Sequence, residues 1–177
     1  MSRLSTIPPD RMTPEQRKVY EESVAAGTPT GTTGGPYTAY IRVPDYMRLH
    51  REVGNYLRRS SLPARLRQLL VLTTCKHWGA KFPWAVQVRA SLQAGLEQLI
   101  IDALDKGQRP ALSSPKDSAA YQFARELLET KQVSDATYKQ ALEQFNEAGL
   151  VDIVVTIGSF TTTCLTANAF DIDPPSN

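Results

Sequence analysis

The sequence predicts an all-α domain, and three observations carry that prediction. Apolar residues recur at helical spacing, as at Tyr46, Leu49, Val53, Tyr56 and Leu57. The periodic segments close on glycine, at Gly27, Gly79, Gly95, Gly107 and Gly149, the residue that most readily ends a helix. The segment Thr13-Pro14-Glu15-Gln16 places an N-cap, a first-turn proline and a capping-box glutamine in register. The 177 residues suit a single domain, 1–177, able to bury a core without staples.

The elements follow in order. Residues 1–12 read as an extended arm, since Pro8 and Pro9 exclude regular helix. A helix capped by Thr13 runs to about Ala26. The stretch 27–37, rich in Gly, Thr and Pro, is a loop long enough to be functional or mobile. Helix returns from Asp45 to Arg58, with His50 on its solvated face. Leu62-Pro63 restarts the chain into helix 63–78, whose dense leucines mark it as central. Helices then span 82–94, 96–106, 116–130 and 134–148, the last capped by Ser134 and ended by Gly149. The final segment, Val151 to Phe170, is almost uncharged after Asp152. Its β-branched Ile153, Val154, Val155 and Ile157 also suit a buried strand, but a run of about twenty residues favours a buried helix.

Composition excludes several classes. Apolar residues make up 41% and charged residues 21%, with a net charge of +2, too small to imply nucleic acid. Arg48, Arg51, Arg58, Arg59, Arg65 and Arg67 are interrupted by Glu52 and apolar positions and read as a solvated helix face. No stretch reaches the roughly 18 apolar residues that span a bilayer, so no membrane role is expected. Pro8 and Pro9 stand where a signal peptide needs an apolar run. Cys75 and Cys164 have no metal-type spacing and are too few for a secreted disulfide framework. They read as reduced thiols of a cytoplasmic protein, and neither a metal nor a cofactor motif is present.

The segment Leu62-Pro63-Ala64-Arg65-Leu66-Arg67-Gln68 through Cys75-Lys76-His77-Trp78-Gly79-Ala80, continuing Phe82-Pro83-Trp84-Ala85-Val86-Gln87 to Ala94-Gly95-Leu96, resembles the core of the carboxymuconolactone decarboxylase and alkyl hydroperoxidase D (AhpD) family. Phe145 followed by Ala148-Gly149-Leu150-Val151-Asp152 and on to Gly158 resembles its second characteristic block. The resemblance implies an AhpD-like helical domain in homo-oligomers, trimers or hexamers, with active sites at helix ends and subunit boundaries. It also implies a glutamate at position 68, an acid at 83 and a histidine at 87, where this chain has Gln68, Pro83 and Gln87. The Cys-x-x-Cys pair of the hydroperoxidase branch would fall at Ala80 and Pro83. Without those thiols, peroxidase chemistry by a Cys-x-x-Cys pair is disfavoured.

What remains able to do chemistry is a short set. Gln68 and Gln87 can hydrogen-bond a carboxylate or carbonyl but exchange no proton, so they are either substrate-binding donors or relics. His77 is the best surviving general acid–base group, with a structural bond at a helix end as the plainer alternative. Cys75 shares a helix face with Gln68 and is either a nucleophile or a small buried hydrophobe. His77 lies near the opposite side, so the two share a site only if the helix unwinds before Gly79. Trp78, Phe82 and Trp84 are core or the walls of an apolar pocket, with Lys81 or Arg42 pairing an anionic group.

The expected function is that of a cofactor-independent enzyme with an altered active site, a lyase or isomerase of a carboxylated or otherwise anionic small molecule. His77, Cys75 and Lys81 are its candidate catalytic residues, and Gln68, Gln87, Trp78, Trp84 and Arg42 its candidate substrate contacts. The alternative is a noncatalytic homo-oligomeric relative that binds a ligand or serves as a scaffold. Whether Gln68, Gln87 and either Cys75 or His77 line one pocket discriminates the two.

Overall fold

The computed structural model describes residues 2–26 and 34–174, which form nine α-helices and no strand. They are α1 (Pro14–Ala25), α2 (Tyr37–Tyr40), α3 (Pro44–Arg59), α4 (Ala64–His77), α5 (Lys81–Gln93), α6 (Gln98–Asp105), α7 (Pro115–Thr130), α8 (Asp135–Gln144) and α9 (Glu147–Ala169). The capping box at Thr13 and Gln16 forms as the sequence requires, each side chain accepting from the other residue's backbone N–H. Most of the loop at 27–37 lies outside the described residues. Its end is held by Gly35, whose φ of +59° suits glycine and whose position directly above the Phe82 ring leaves no room for a Cβ.

Helix α4 is the axis. Leu66, Leu69, Leu70, Val71, Leu72 and Cys75 are all buried, so it is apolar around its whole circumference and must be covered on every side. Helices α5, α6, α7 and α9 provide that cover. Most of the core gathers around these leucines, with Leu96, Ile100, Phe123 and Ile153 among its members. Arg65 fixes the start of the axis: it pairs with Glu97 before α6 at 2.6 Å and with the buried Asp117 in the first turn of α7. At the other end Gly79 adopts φ +58°, and Gly79 and Ala80 return their N–H groups to the carbonyls of Lys76 and Cys75 in a Schellman motif.

Helix α9 resolves the choice between strand and helix. It is long and apolar enough to cross a bilayer by composition, contrary to the expectation that no segment is. Here it packs on α3, α4, α5, α7 and α8 instead. Its threonines are accommodated because Thr156, Thr162, Thr163 and Thr166 donate their hydroxyls to carbonyls four residues back. Asp152, buried in its first half, accepts from the Ser61 N–H at 2.9 Å, the Ser61 hydroxyl at 2.6 Å and the Tyr56 hydroxyl, tying α9 to the α3–α4 turn. Burial pushes the Asp152 carboxyl up, but those donors outweigh it and hold the group below its usual range.

Several expectations are corrected. The eighth helix stops at Gln144, not 148. Phe145 is extended and Asn146 caps α9 by accepting from the Gly149 N–H at 2.8 Å, so Gly149 lies inside α9 rather than ending α8. The short α2 was not foreseen. The arm tightens into a 3-10 turn at Pro9–Arg11, which proline at its first position permits. The start of the arm lies against the end of α9, where Arg3 donates its backbone N–H to Phe170 and its guanidinium to Ala169, both at 2.9 Å. On α3 the stripe divides: Leu49, Val53 and Tyr56 are 65%, 37% and 43% exposed, while Leu57 is buried and Tyr46 packs beside the buried Tyr40 and Met47. The arginine row is not simply a solvated face, since Arg48 and Arg51 reach Glu22, Arg65 bridges α6 and α7, and Arg67 donates to the carbonyls of Leu57 and Leu62.

His50 is likewise misplaced by the sequence reading. Its ring sits among Tyr40, Tyr46 and Tyr37, at centroid distances of 4.6, 6.0 and 6.1 Å. This burial lowers its pKa below the ordinary value of about 6.5. The unfolded chain therefore takes up a proton that the folded chain resists, and stability falls as pH drops below about 6.5. His50→Phe keeps the ring packing and removes the titration, so denaturant titrations between about pH 7.5 and 5 are expected to show a shallower acid decline than wild type. Identical slopes would exclude a buried neutral His50.

Candidate functional site

Two clefts open at the end of α4, on either side of Lys76. The first has a volume of about 210 Å³ and is lined by Lys76, His77, Arg109, Tyr121, Arg125 and Glu129 among others. The second, about 150 Å³, is lined by Cys75, Lys76, Gly79, Ala80, Lys81, Trp84 and Asp105. Lys76 forms the wall between them. Its ammonium donates to the Asp105 carbonyl, lies 3.4 Å from the Asp105 carboxylate and stands 5.6 Å from the centre of the Trp84 ring.

The first cleft is cationic. Three of its side chains, Lys76, Arg109 and Arg125, carry positive charge against one carboxylate, Glu129, which pairs with Arg125 at 2.8 Å. His77 stands at its rim, edge-on to Trp78 at 5.2 Å. Partial burial and the Lys131 charge lower the His77 pKa, with Glu129 opposing them, so the imidazole is neutral at pH 7 and can accept a proton. Tyr121 is buried, which raises its pKa and keeps its hydroxyl protonated as a potential donor.

The sequence-derived residues do not gather in one place. His77 opens to the first cleft; Cys75, Lys81 and Trp84 meet at the second. The helix does not unwind before Gly79, so Cys75 and His77 face different clefts. Trp78 faces α9, its indole N–H donating to Thr161 at 3.1 Å and its carbonyl accepting from Asn168 at 2.8 Å. Gln68 and Gln87 line neither cleft: Gln68 Oε1 accepts from the buried Ser91 hydroxyl of α5 at 3.3 Å, and Gln87 is half-buried on α5. Arg42 lines neither cleft and donates to the carbonyls of Thr38 and of Ser5 in the arm, the latter at 2.8 Å. Phe82 is covered by Gly35.

Sequence reasoning missed Arg109, Tyr121 and Arg125, which carry no motif and come from a loop and the face of α7. It also missed the partner of Cys75. Cys164, 89 positions away, places its sulfur 3.8 Å from that of Cys75. Among the described residues no three His, Cys, Asp or Glu side chains group as a metal site.

No family model and no curated protein matches the sequence. Solved structures do match in shape. An alkylhydroperoxidase AhpD-core, peroxidase-related protein from Ralstonia eutropha superposes with a TM-score of 0.79 at 16% identity, over 99% of this chain and 93% of that one. A peroxidase-related protein from a Silicibacter species gives 0.77 at 17%, over 99% and 92%. A cysteine-to-alanine variant of a debrominase, in complex with 2,3,4-tribromopyrrole, gives 0.76 at 12%, over 98% and 91%. The chain has the AhpD-like fold.

Because Gln68 serves Ser91 and not a cleft, Gln68→Leu is expected to cost about 1 kcal/mol of stability through the lost bond. It should leave the affinity of either cleft for a small carboxylate unchanged. Urea denaturation and calorimetry with benzoate read the two effects separately, and weakened binding without destabilisation would return Gln68 to the site.

Proposed function

We propose that this protein binds a small anionic organic molecule in the cleft beside His77 and acts on it as a cofactor-independent lyase or isomerase. The observation that carries this reading is the convergence of Arg109, Arg125 and Lys76 around a proton-accepting imidazole in one cleft. The arginines would hold a carboxylate, Arg125 by exchanging part of its bond to Glu129. His77 would take a proton from the carbon next to it, and the guanidinium and Tyr121 donors would stabilise the enolate-like charge that develops. The AhpD-like structure with tribromopyrrole bound supports a small-molecule role for this architecture.

A second reading, binding without catalysis, is favoured by two details. Gln68, Gln87, Cys75 and His77 do not gather in one cleft. No described side chain hydrogen-bonds to the His77 ring, whereas a general base works best when a third group orients it.

Both readings require the cleft to prefer anions. Benzoate is expected to shift the His77 ring resonances in NMR titrations, and Arg125→Ala is expected to weaken it about five-fold. Affinity should rise as pH falls through the lowered His77 pKa, since protonation adds a positive charge facing Lys76, Arg109, Arg125 and Lys131. Binding that is flat with pH and indifferent to Arg125→Ala would remove the cleft from consideration. Turnover of any carboxylated compound that disappears in His77→Gln while binding persists would select the enzyme over the binding protein.

We further propose a cytoplasmic homo-oligomer, with a trimer favoured by the family resemblance. Helices α3 and α9 leave Leu49, Val53, Val151, Val154 and Leu165 in solvent, an apolar exposure that association would cover. Light scattering at micromolar concentration is expected to give a multiple of the 19.6 kDa chain mass. A monomer would contradict this.

A further inference from the structure

We propose that Cys75 and Cys164 are a redox site, forming a reversible intramolecular disulfide on reaction with a small hydroperoxide that enters through the Trp84 cleft. These are the only cysteines of the chain, and the fold brings them to 3.8 Å from opposite faces of the α4–α9 contact. The Cys164 thiol donates to the Cys75 sulfur. A disulfide requires the sulfurs to close to about 2.05 Å, a movement of the order that side-chain rotation supplies. Both residues are fully buried, with Val71 and Ala80, under Trp78, Trp84 and Phe160. Cys75 borders the cleft of about 150 Å³ formed with Ala80 and Trp84, and Cys164 lines neither of the two clefts described above. That volume admits hydrogen peroxide and excludes a bulky peptide disulfide.

The chemistry balances without a further reactant. The Cys75 sulfur attacks one oxygen of the hydroperoxide, the O–O bond breaks, and Cys75 becomes a sulfenic acid as water or an alcohol leaves. The Cys164 sulfur then attacks Cys75, the S–O bond breaks, and a second water departs with the thiol proton. Two electrons have passed from the sulfur pair to the peroxide. The sulfur contact with Cys164 and then burial push the Cys75 thiol well above its ordinary range, so little thiolate is present and the first step is slow. The pair therefore suits stoichiometric sensing rather than rapid turnover. The product clamps α4 to α9 across the 89 positions between the two cysteines.

The test uses the whole wild-type protein. After incubation with hydrogen peroxide, unreacted thiols are alkylated in denaturant and the protein is digested without reductant. Joint loss of both thiols, a linked peptide pair containing Cys75 and Cys164, full recovery with dithiothreitol and a Tm several degrees higher are expected. Oxidised glutathione under the same conditions should give none of these. In Cys164→Ser, peroxide should leave a sulfenic acid at Cys75 that dimedone traps in place of the linked peptide. Survival of both thiols, links between chains in place of the internal one, or oxidation of Cys164 alone would overturn the proposal.

Discussion

The rest of the structure depends on one helix that has no polar side to show to water. Between Gln68 and Cys75, α4 carries only Thr73 and Thr74 as polar residues, and both donate their hydroxyls to their own helix, at Leu69 and Leu70. Such a helix is stable only when enclosed, and enclosure takes several helices. The shell of α5, α6, α7 and α9 follows from that requirement, and so do the positions of the charges. Arg65 lies where the axis begins and Lys76 where it ends, each reaching partners from the shell. The charged side chains of α4 are therefore confined to its two ends.

Much of this was legible. Helix starts marked by Thr13 and Ser134 and helix ends marked by Gly79, Gly95 and Gly107 stand where the sequence placed them, because caps are local bonds among neighbouring residues. The errors arose where tertiary contacts overrode local signals. Gly149 looks like a helix end, yet the Asn146 side chain supplies a cap three residues earlier and the helix runs through the glycine. His50 looks solvated by its neighbours Leu49 and Arg51, but what encloses it is Tyr37 and Tyr40 from the short α2. The outward part of the α3 stripe has the period of a buried one; period alone cannot tell which partner, within the chain or beyond it, the stripe awaits.

The candidate site was legible only in part, for a related reason. His77 was found because histidine is rare here and stands at a helix end. The arginines around it come from Arg109 and Arg125, on a loop and on α7, and nothing in their spacing points to a common cleft. Conversely, Gln68 and Gln87 occupy the positions where the family resemblance implies titrating groups, and the packing gives Gln68 a purely internal task with Ser91. The two clefts lie about two turns of α4 beyond Gln68, around the Lys76 wall. The sequence also treated Cys75 and Cys164 as separate residues, since 89 positions of chain conceal a contact of 3.8 Å.

The clasp between Arg3 and the end of α9 gives the chain a nearly closed path. Ser2 and Arg3 meet Ala169 and Phe170 on one surface, so the path that passes Arg3 returns to it at the end of α9. A short linker between these two stretches would keep them together if the chain were reopened at another surface turn, with the same helices in a new order. For the same reason, labels attached at positions 3 and 170 would report on one neighbourhood, the junction of the arm with α9, and not on opposite poles of the molecule.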